Sequence, residues 1–187
     1  YTDKRHRKFF DEEIKSIVER LERDLGEYEI GISSYNKEEN VFIVRTYSDK
    51  SLGAFYVYDK ISDELSLIHE VAPWFDESKM ADQKAISYTS RDGFTIHGYL
   101  TLPNGKEAKN LPVVVNPHGG PWARDHWGFN PEVQFLANRG YAVLQMNFRG
   151  SVGYGREFKE ASYKEWGKTM QDDITDGVNW LIDKGIA

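Results

Sequence analysis

Residues 111–123, LPVVVNPHGGPWA, and residues 141–155, YAVLQMNFRGSVGYG, decide the fold. Each begins with a short aliphatic run typical of a buried parallel strand and continues into a glycine-rich segment. Between them, Asn130 is a helix N-cap, Pro131 the first helical residue and Gly140 a stop. Strand, helix and strand in this order predict a right-handed βαβ unit in an α/β sheet.

Flanking patterns extend this α/β region in both directions. Upstream, residues 85–89 and 94–102 surround the turn Arg91-Asp92-Gly93 and predict a hairpin. Downstream, a polar helix is expected near residues 156–166, and a second near residues 170–184. The apolar face of the second helix is expected to contain Ile174, Val178, Leu181 and Ile182.

The first part of the chain has a different organisation. Apolar residues at helical spacing, acidic residues in the first turn and Gly26 as a stop predict one amphipathic helix over residues 11–25. Residues 27–71 then alternate between strand-like runs and turns, which predicts a four-stranded antiparallel meander. Its length matches one β-propeller blade of about 40 to 45 residues. We therefore expect residues 1–82 to hold a helix, the last blade of an array and a connector, and residues 83–187 to hold the N-terminal part of an α/β-hydrolase domain.

Charge and composition exclude several functional classes. The chain has 187 residues, 24 basic and 30 acidic side chains and a net charge of −6. Neither part is basic enough to indicate nucleic acid as a partner. The basic run at residues 4–8 is followed at once by acidic residues, which favours a solvated face over a phosphate-binding one. No apolar run is long enough to cross a membrane. The absence of cysteine excludes disulfides, thiolate nucleophiles and cysteine-based metal sites.

Both glycine-rich segments follow parallel strands, at the sheet edge where α/β proteins bind ligands. In the first, Gly119 and Gly120 allow backbone N–H groups to face a ligand, and such donors stabilise an oxyanion in acyl transfer. A tight turn alone explains the two glycines equally well. The second segment lacks the spacing of a dinucleotide fingerprint or a P-loop, so we expect a close-packed turn at the edge of the site.

Together these motifs resemble the prolyl oligopeptidase family of serine peptidases, with acylaminoacyl-peptidase-like and dipeptidyl-peptidase-like members as the nearest types. The resemblance rests on the sequence at residues 118–122, 147–155, 88–93, 98–100 and 172–178. It implies a β-propeller that covers an α/β-hydrolase active site and admits short peptides. It also implies hydrolysis of peptides or acyl-aminoacyl substrates through an acyl-enzyme, with no metal or organic cofactor.

Carried over to this chain, the resemblance makes the Gly120 backbone N–H one donor of the oxyanion hole. His118 and Gly119 would shape the oxyanion loop. The second donor and the catalytic triad are expected beyond Ala187, because no G-x-S-x-G nucleophile elbow occurs in the sequence. Ser151 comes nearest to that pattern but lacks the glycine two positions before it. We therefore expect the isolated chain to lack peptidase activity.

Other residues leave alternatives open. Trp122, Trp127 and Phe129 line a substrate pocket or pack the loop onto the sheet. Arg124 and Arg149 hold a peptide carboxylate or the loop's own carbonyl groups. A catalytic group of His118, Asp125 and Ser151 is disfavoured. Metal sites are disfavoured too, because no strong set of ligands is present; the residues weighed for them are His118, Asp125 and His126, and separately Asp172, Asp173 and Asp176.

Two further hypotheses compete with the peptidase. The chain could be a non-catalytic module that binds a protein or peptide through its acidic meander and aromatic loop, or its parent could be an α/β-hydrolase esterase. Under the peptidase hypothesis the partners are a peptide substrate, the other propeller blades and the rest of the hydrolase domain. Assembly into a homo-oligomer stays open, and the sequence carries no signal for a compartment.

Overall fold

The computed structural model describes residues 3–187, and the first two residues of the predicted N-terminal region lie outside it. The described chain divides into two compact units. Residues 7–78 form one, which we call the meander unit, and residues 3–6 with 79–187 form the other, the α/β unit. The sequence pattern instead predicts a boundary between the two regions at residue 82, a few residues later than the observed one. No helix in the described part is both long and apolar enough to span a membrane.

The meander unit contains one helix and one antiparallel sheet. Helix α1 is preceded by Asp11, whose carboxylate accepts a hydrogen bond from the Ile14 N–H (3.0 Å), and is closed by Gly26. The predicted helix and its stop at Gly26 are thereby confirmed, and Asp11, which was predicted as the first helical residue, is the cap. The elements are α1 (Glu12–Leu25), β1 (Glu29–Tyr35), β2 (Val41–Tyr47), β3 (Ala54–Asp59) and β4 (Glu64–Glu70).

The four strands pair in sequence order, so the predicted meander is present. One face of the sheet is covered by α1: Ile17 and Leu21 pack against Ile30, Phe42 and Val44. This face of the sheet is thus covered by an amphipathic helix of the same unit. Within residues 3–187 there is one such sheet and no closed propeller.

The α/β unit is built on a second four-stranded sheet, whose spatial order is β5-β6-β8-β7. Strands β5 and β6 form the predicted hairpin, β6 and β8 are antiparallel, and β7 and β8 are the predicted parallel pair. Strand β8 is buried along its whole length. The elements are β5 (Gln83–Thr89), β6 (Thr95–Thr101), β7 (Val113–Val115), α2 (Pro131–Asn138), β8 (Ala142–Asn147), α3 (Arg156–Glu160) and α4 (Thr169–Asp183).

The helices of the α/β unit agree to different degrees with the helices predicted from the sequence. Helix α2 begins as predicted: the Asn130 side chain accepts from the N–H groups of Glu132 (3.0 Å) and Val133 (3.2 Å). Helix α3 has only five residues, whereas a helix to residue 166 was expected. Left-handed backbone at Lys164 and Gly167 is incompatible with a continuing helix and accounts for the early end.

Helix α4 has nearly the predicted extent, and its predicted apolar face is confirmed in part: Leu181 is fully buried and Ile174 packs against the core. The expected apolar set included Ile182, whose side chain is instead 54% exposed. The buried residues are Met170, Asp173, Gly177 and Leu181. An acidic residue and a glycine therefore occupy core positions, and the hydrophobic pattern alone does not identify them.

Candidate active site

The candidate site is a long loop at the carboxyl edge of the parallel strands, formed by residues 116–130. It leaves the sheet after β7, where the Asn116 N–H donates to Leu144 O (2.9 Å), and it ends at the cap of α2. We call it the oxyanion loop. Its two glycines, Gly119 and Gly120, are exposed. The loop therefore presents backbone, without side-chain cover, at the edge where α/β folds bind ligands.

Gly120 has a backbone conformation that only glycine adopts easily. Its φ is +142°, and a Cβ atom there would lie 2.8 Å from Trp122 N and 3.2 Å from Ala123 Cβ. Among the residues that the structure describes, none accepts a hydrogen bond from the Gly120 N–H. A side chain at this position would force the turn to move, and with it the direction of the amide.

Gly120 also lines a cleft of about 290 Å³ next to the sheet edge. The walls are largely apolar, and the space is open to solvent. An exposed amide at the rim of an apolar cleft is the arrangement in which a fixed N–H can interact strongly with a developing negative charge. The other lining residues are Pro121, Phe148, Trp166, Gly167, Met170, Gln171 and Ile174.

His118 is held between the loop and the segment that follows β8. Its ring stacks on Phe148, with 4.6 Å between centroids. Its Nδ1 atom lies 2.8 Å from Gly119 O, and its Nε2 atom lies 2.8 Å from Ser151 Oγ. These contacts hold His118 against Gly119 and the segment after β8, and its role in shaping an oxyanion loop stays a prediction.

The structure brings two of the three members of the disfavoured catalytic group together, His118 and Ser151. Ser151 is fully buried, and its Oγ lies 2.7 Å from Phe148 O and 2.8 Å from His118 Nε2. Its single proton goes to only one of these two atoms, and the imidazole tautomer decides which. A nucleophile also requires access to substrate, which this buried hydroxyl lacks. Asp125 does not complete the group, since its carboxylate accepts from Gln145 and burial raises its pKa.

A set of polar side chains at the end of β8 contacts the other limb of the loop. Asn147 accepts the Asp125 N–H at its Oδ1 (2.8 Å) and donates from Nδ2 to Asp125 O (3.2 Å) and to the Tyr154 hydroxyl (2.7 Å). Burial raises the pKa of Tyr154 to about 12, so its hydroxyl stays protonated. Arg124 donates to the same hydroxyl (2.9 Å), and its guanidinium lies 4.5 Å from the Tyr154 ring centre.

Sequence reasoning missed this amide at Asn147. Its position carries a signal, since it is a polar residue at the end of a largely apolar strand. A buried carboxamide at a strand end needs both donors and acceptors, and a neighbouring loop backbone supplies them. The partner residue, Asp125, could not be deduced, because the contact joins positions 22 residues apart through loop geometry.

The aromatic residues of the loop divide between the two roles considered. Trp122 is 52% exposed, contacts Tyr163 edge-on and donates from its indole to Ser162 Oγ (3.3 Å). Trp127 instead donates to Gln83 O (3.0 Å) and packs the loop onto β5, with the Lys4 ammonium 4.0 Å from its ring centre. Trp122 is therefore available to a ligand, whereas Trp127 has a packing role.

Arg124 and Arg149, the two candidate ligands for a peptide carboxylate, have partners inside the protein. Arg124 contacts Tyr154 as described. The Arg149 guanidinium is buried and binds two carboxylates, Asp173 (2.6 Å and 2.8 Å) and Asp92 (2.6 Å and 2.8 Å). The expectation of substrate binding by Arg149 does not agree with this geometry, because its donors are already used. Its role is structural.

This ion cluster also accounts for the acidic residues of α4. Hydrogen bonds from Arg149 lower the pKa of Asp92 to about 2, and those from Arg91 lower the pKa of Asp176. Arg91 also pairs with Asp172 (2.9 Å). The three aspartates that were weighed as a cation site thus bind arginines. Within residues 3–187, no group of histidine and acidic side chains is arranged to hold a metal ion.

Comparison with known proteins agrees with the sequence motifs. The prolyl oligopeptidase family model matches residues 127–187. Over 96% of its length the chain is 35% identical to dipeptidyl aminopeptidase BIII of Pseudoxanthomonas mexicana, and it spans 27% of that protein. Over 84% of its length it is 33% identical to dipeptidyl peptidase family member 6 of Caenorhabditis elegans, of which it spans 24%.

A solved structure shows the same likeness in three dimensions. The acylaminoacyl peptidase of Pyrococcus horikoshii superposes on 81% of this chain with a TM-score of 0.64 and 25% sequence identity, and the chain covers 24% of that protein. The chain therefore spans about a quarter of the length of the peptidases that it matches.

Proposed function

Because this chain belongs to the prolyl oligopeptidase family, we propose that it is part of a serine-type peptidase that hydrolyses short peptides or acyl-aminoacyl substrates through an acyl-enzyme. The observation that carries the proposal is the exposed Gly120 amide at the rim of an apolar cleft. In this proposal Gly120 supplies one donor of the oxyanion hole.

The chemistry requires such a donor. When a nucleophile attacks a carbonyl carbon, the carbonyl oxygen gains negative charge, and a fixed N–H near that oxygen stabilises the transition state. Removing one such donor typically lowers kcat by about a hundredfold to a thousandfold. The loop suits this task because its amide is held by backbone geometry, so little reorganisation is needed when the charge forms.

We propose that the nucleophile, the general base and its acid partner come from outside residues 3–187, and that the isolated chain has no peptidase activity. Two observations support this. The sequence has no G-x-S-x-G elbow, and Ser151, which comes nearest to that pattern, is fully buried. His118 accordingly acts on the loop and not on a substrate proton.

We further propose that residues 27–71 are one blade of a propeller that restricts access to the active site. The four-stranded meander and its length support this proposal. The partners are then the other blades, the rest of the hydrolase domain and a peptide substrate, which the exposed Trp122 side chain contacts. No cofactor is part of the proposed reaction.

The test uses the intact protein that contains this chain. We expect it to react with a fluorophosphonate probe for catalytic serines and to release a chromophore from aminoacyl, dipeptidyl or acyl-aminoacyl substrates. A panel that includes simple esters separates a peptidase from an esterase. If neither labelling nor cleavage of any amide substrate occurs, the proposal fails and the binding-module hypothesis gains support.

Gly120→Ala in the intact protein tests the proposed donor. We expect kcat to fall by about a hundredfold, because the added Cβ would displace the Trp122 amide and redirect the Gly120 N–H. Gly31→Ala is the matched control: it lies in a β-strand, where the nearest atom would be 3.9 Å from the new Cβ. Equal activity of the two variants would rule out Gly120 as a donor.

A further inference from the structure

The segment that follows β8 contacts the oxyanion loop at three separate points. These contacts come from residues 147–152, which we call the clasp segment. Ser151 contacts His118, the Val152 N–H donates to Ala123 O (3.0 Å), and Asn147 bonds the Asp125 backbone. The contacts lie on both sides of Gly120 along the chain, so the exposed turn is anchored at both ends.

On the C-terminal side of Gly120 the loop is held by a side-chain amide, which makes the two hydrogen bonds that a neighbouring backbone would otherwise make. Asn147 binds both the N–H and the C=O of Asp125, as a paired strand would. Its side chain is fully buried, and its remaining donor contact goes to Tyr154. Only a carboxamide offers an acceptor and two donors at this length, so the position favours asparagine on chemical grounds.

At the N-terminal limb the anchor is the buried hydroxyl of Ser151. Its Oγ lies within hydrogen-bond distance of His118 Nε2 (2.8 Å) and of Phe148 O (2.7 Å), while the same imidazole stacks on the Phe148 ring. His118 is thereby fixed in orientation. Its other ring nitrogen contacts the carbonyl of Gly119, the residue whose peptide bond carries the Gly120 N–H. The hydroxyl therefore acts on the turn through one intermediate side chain.

We propose that Asn147 and Ser151 are positioning residues for the oxyanion hole: through Asp125 and His118 they fix the loop so that the Gly120 N–H keeps one direction. This inference rests on the proposed function, and it assigns the second glycine-rich segment a task in the same reaction. Neither residue touches substrate. Their removal lowers transition-state stabilisation and leaves ground-state binding nearly unchanged, since an oxyanion donor acts mainly when charge develops.

The first test measures order in the loop directly. In the intact protein, amide hydrogen exchange is followed for a peptide covering residues 117–127 in Asn147→Leu and in Ser151→Ala. We expect this peptide to exchange about tenfold faster in each variant, because a loop that loses an anchor opens more often. Ser51→Ala is the matched control: it is also buried, and its hydroxyl accepts from the Gly53 N–H (3.0 Å) within the meander unit.

The second test measures catalysis in the same variants. We expect kcat to fall about tenfold in Asn147→Leu and in Ser151→Ala with KM within twofold of the wild-type value, the signature of a lost transition-state interaction. Ser51→Ala should lower thermal stability without this change in kcat. Unchanged exchange in the loop peptide, or an equal loss of kcat in Ser51→Ala, overturns the proposal.

The two readouts keep the inference separate from the proposed function. If the wild-type protein cleaves no substrate, the peptidase proposal fails, and the exchange experiment alone decides whether the clasp segment holds the loop. Faster exchange confined to residues 117–127 then supports the anchors, and unchanged exchange refutes them.

Discussion

Arg149 shows how the role of a single charged residue depends on its partners. Its side chain is 5% exposed and that of Asp173 is fully buried, while the two form a bidentate pair. The guanidinium also lies 4.6 Å from the centre of the Phe94 ring. A buried charge is tolerated only where a paired charge and hydrogen bonds replace water. The cluster therefore connects β8, the hairpin turn and α4, and it fixes the start of the clasp segment.

Replacement of Arg149 should destabilise the protein strongly. In Arg149→Met the chain keeps similar bulk but leaves the Asp173 carboxylate buried without its cation, so we expect a loss of about 3 kcal/mol in the free energy of unfolding. Urea denaturation measures it. Arg156→Met is the control, because that side chain is 88% exposed and should change stability by less than about 0.5 kcal/mol. Similar small losses in both variants would contradict a structural role for Arg149.

The same cluster predicts a dependence of stability on acid. Hydrogen bonds from Arg149 lower the pKa of Asp92 from 3.8 to about 2, and those from Arg91 lower the pKa of Asp176. A carboxylate whose pKa is lower in the folded state stabilises the fold above its unfolded pKa, and this stabilisation is lost as pH falls through the folded value. We expect the urea midpoint to decrease between about pH 4 and pH 2. Asp92→Asn should flatten this decrease, and an identical slope would contradict the assignment.

At the scale of the elements, the sequence predicts those features that depend on contacts between residues close together in the chain. Helix α1 ends at Gly26 and helix α2 begins after Asn130, as the sequence pattern indicates, because a cap or a stop is a contact within a few residues. The buried face of α4 was predicted only in part, since Asp173 is buried only because Arg149 reaches it from the segment after β8. Such long-range pairing leaves no periodic trace in the helix itself.

For Gly177 in α4, close packing predicts an effect of alanine on stability that is opposite to the effect predicted by helix propensity. Alanine normally stabilises a helix relative to glycine by about 1 kcal/mol. Here a Cβ would lie 2.7 Å from the buried Tyr88 hydroxyl and 2.9 Å from Tyr88 Cζ. We therefore expect Gly177→Ala to lower the free energy of unfolding by about 1 to 3 kcal/mol. Chemical denaturation measures this change. Thr175→Ala on the exposed face is the control and should be neutral or slightly stabilising. A stabilised Gly177→Ala protein would show that α4 packs less closely than the structure indicates.

The candidate site was predictable only in part, because only some of its features depend on residues that are close together in the chain. The glycine pair and the strand that precedes it are adjacent in sequence, so the position of the oxyanion loop follows from the pattern around Gly120. The burial of Arg149 and the anchors Asn147 and Ser151 depend on how two loops approach each other. The spacing of residues along the chain does not give the distance between two loops in space. The roles of these residues were therefore visible only in the structure.

At the scale of the whole molecule, each of the two units has its own core and its own end strands. In the meander unit the core lies between α1 and one face of the sheet, and β4 ends the sheet. In the α/β unit β7 ends the described part of the sheet, with its three valines only half-buried. An end strand leaves N–H and C=O groups open to pairing with another chain.

Strand β4 is the end strand on which association can be tested. Its residues Leu67 and Ile68 are 54% and 53% exposed, and exposed apolar residues on an open strand promote pairing between chains. We expect the 187-residue chain to self-associate with rising concentration in sedimentation velocity, and Leu67→Lys with Ile68→Lys to suppress this, because lysine on an end strand opposes pairing. Ile61→Lys is the control, since Ile61 is 78% exposed but lies in a turn. A chain that stays monomeric, or equal suppression by Ile61→Lys, would show that β4 does not drive association. A monomeric chain with cooperative unfolding would also favour the binding-module hypothesis.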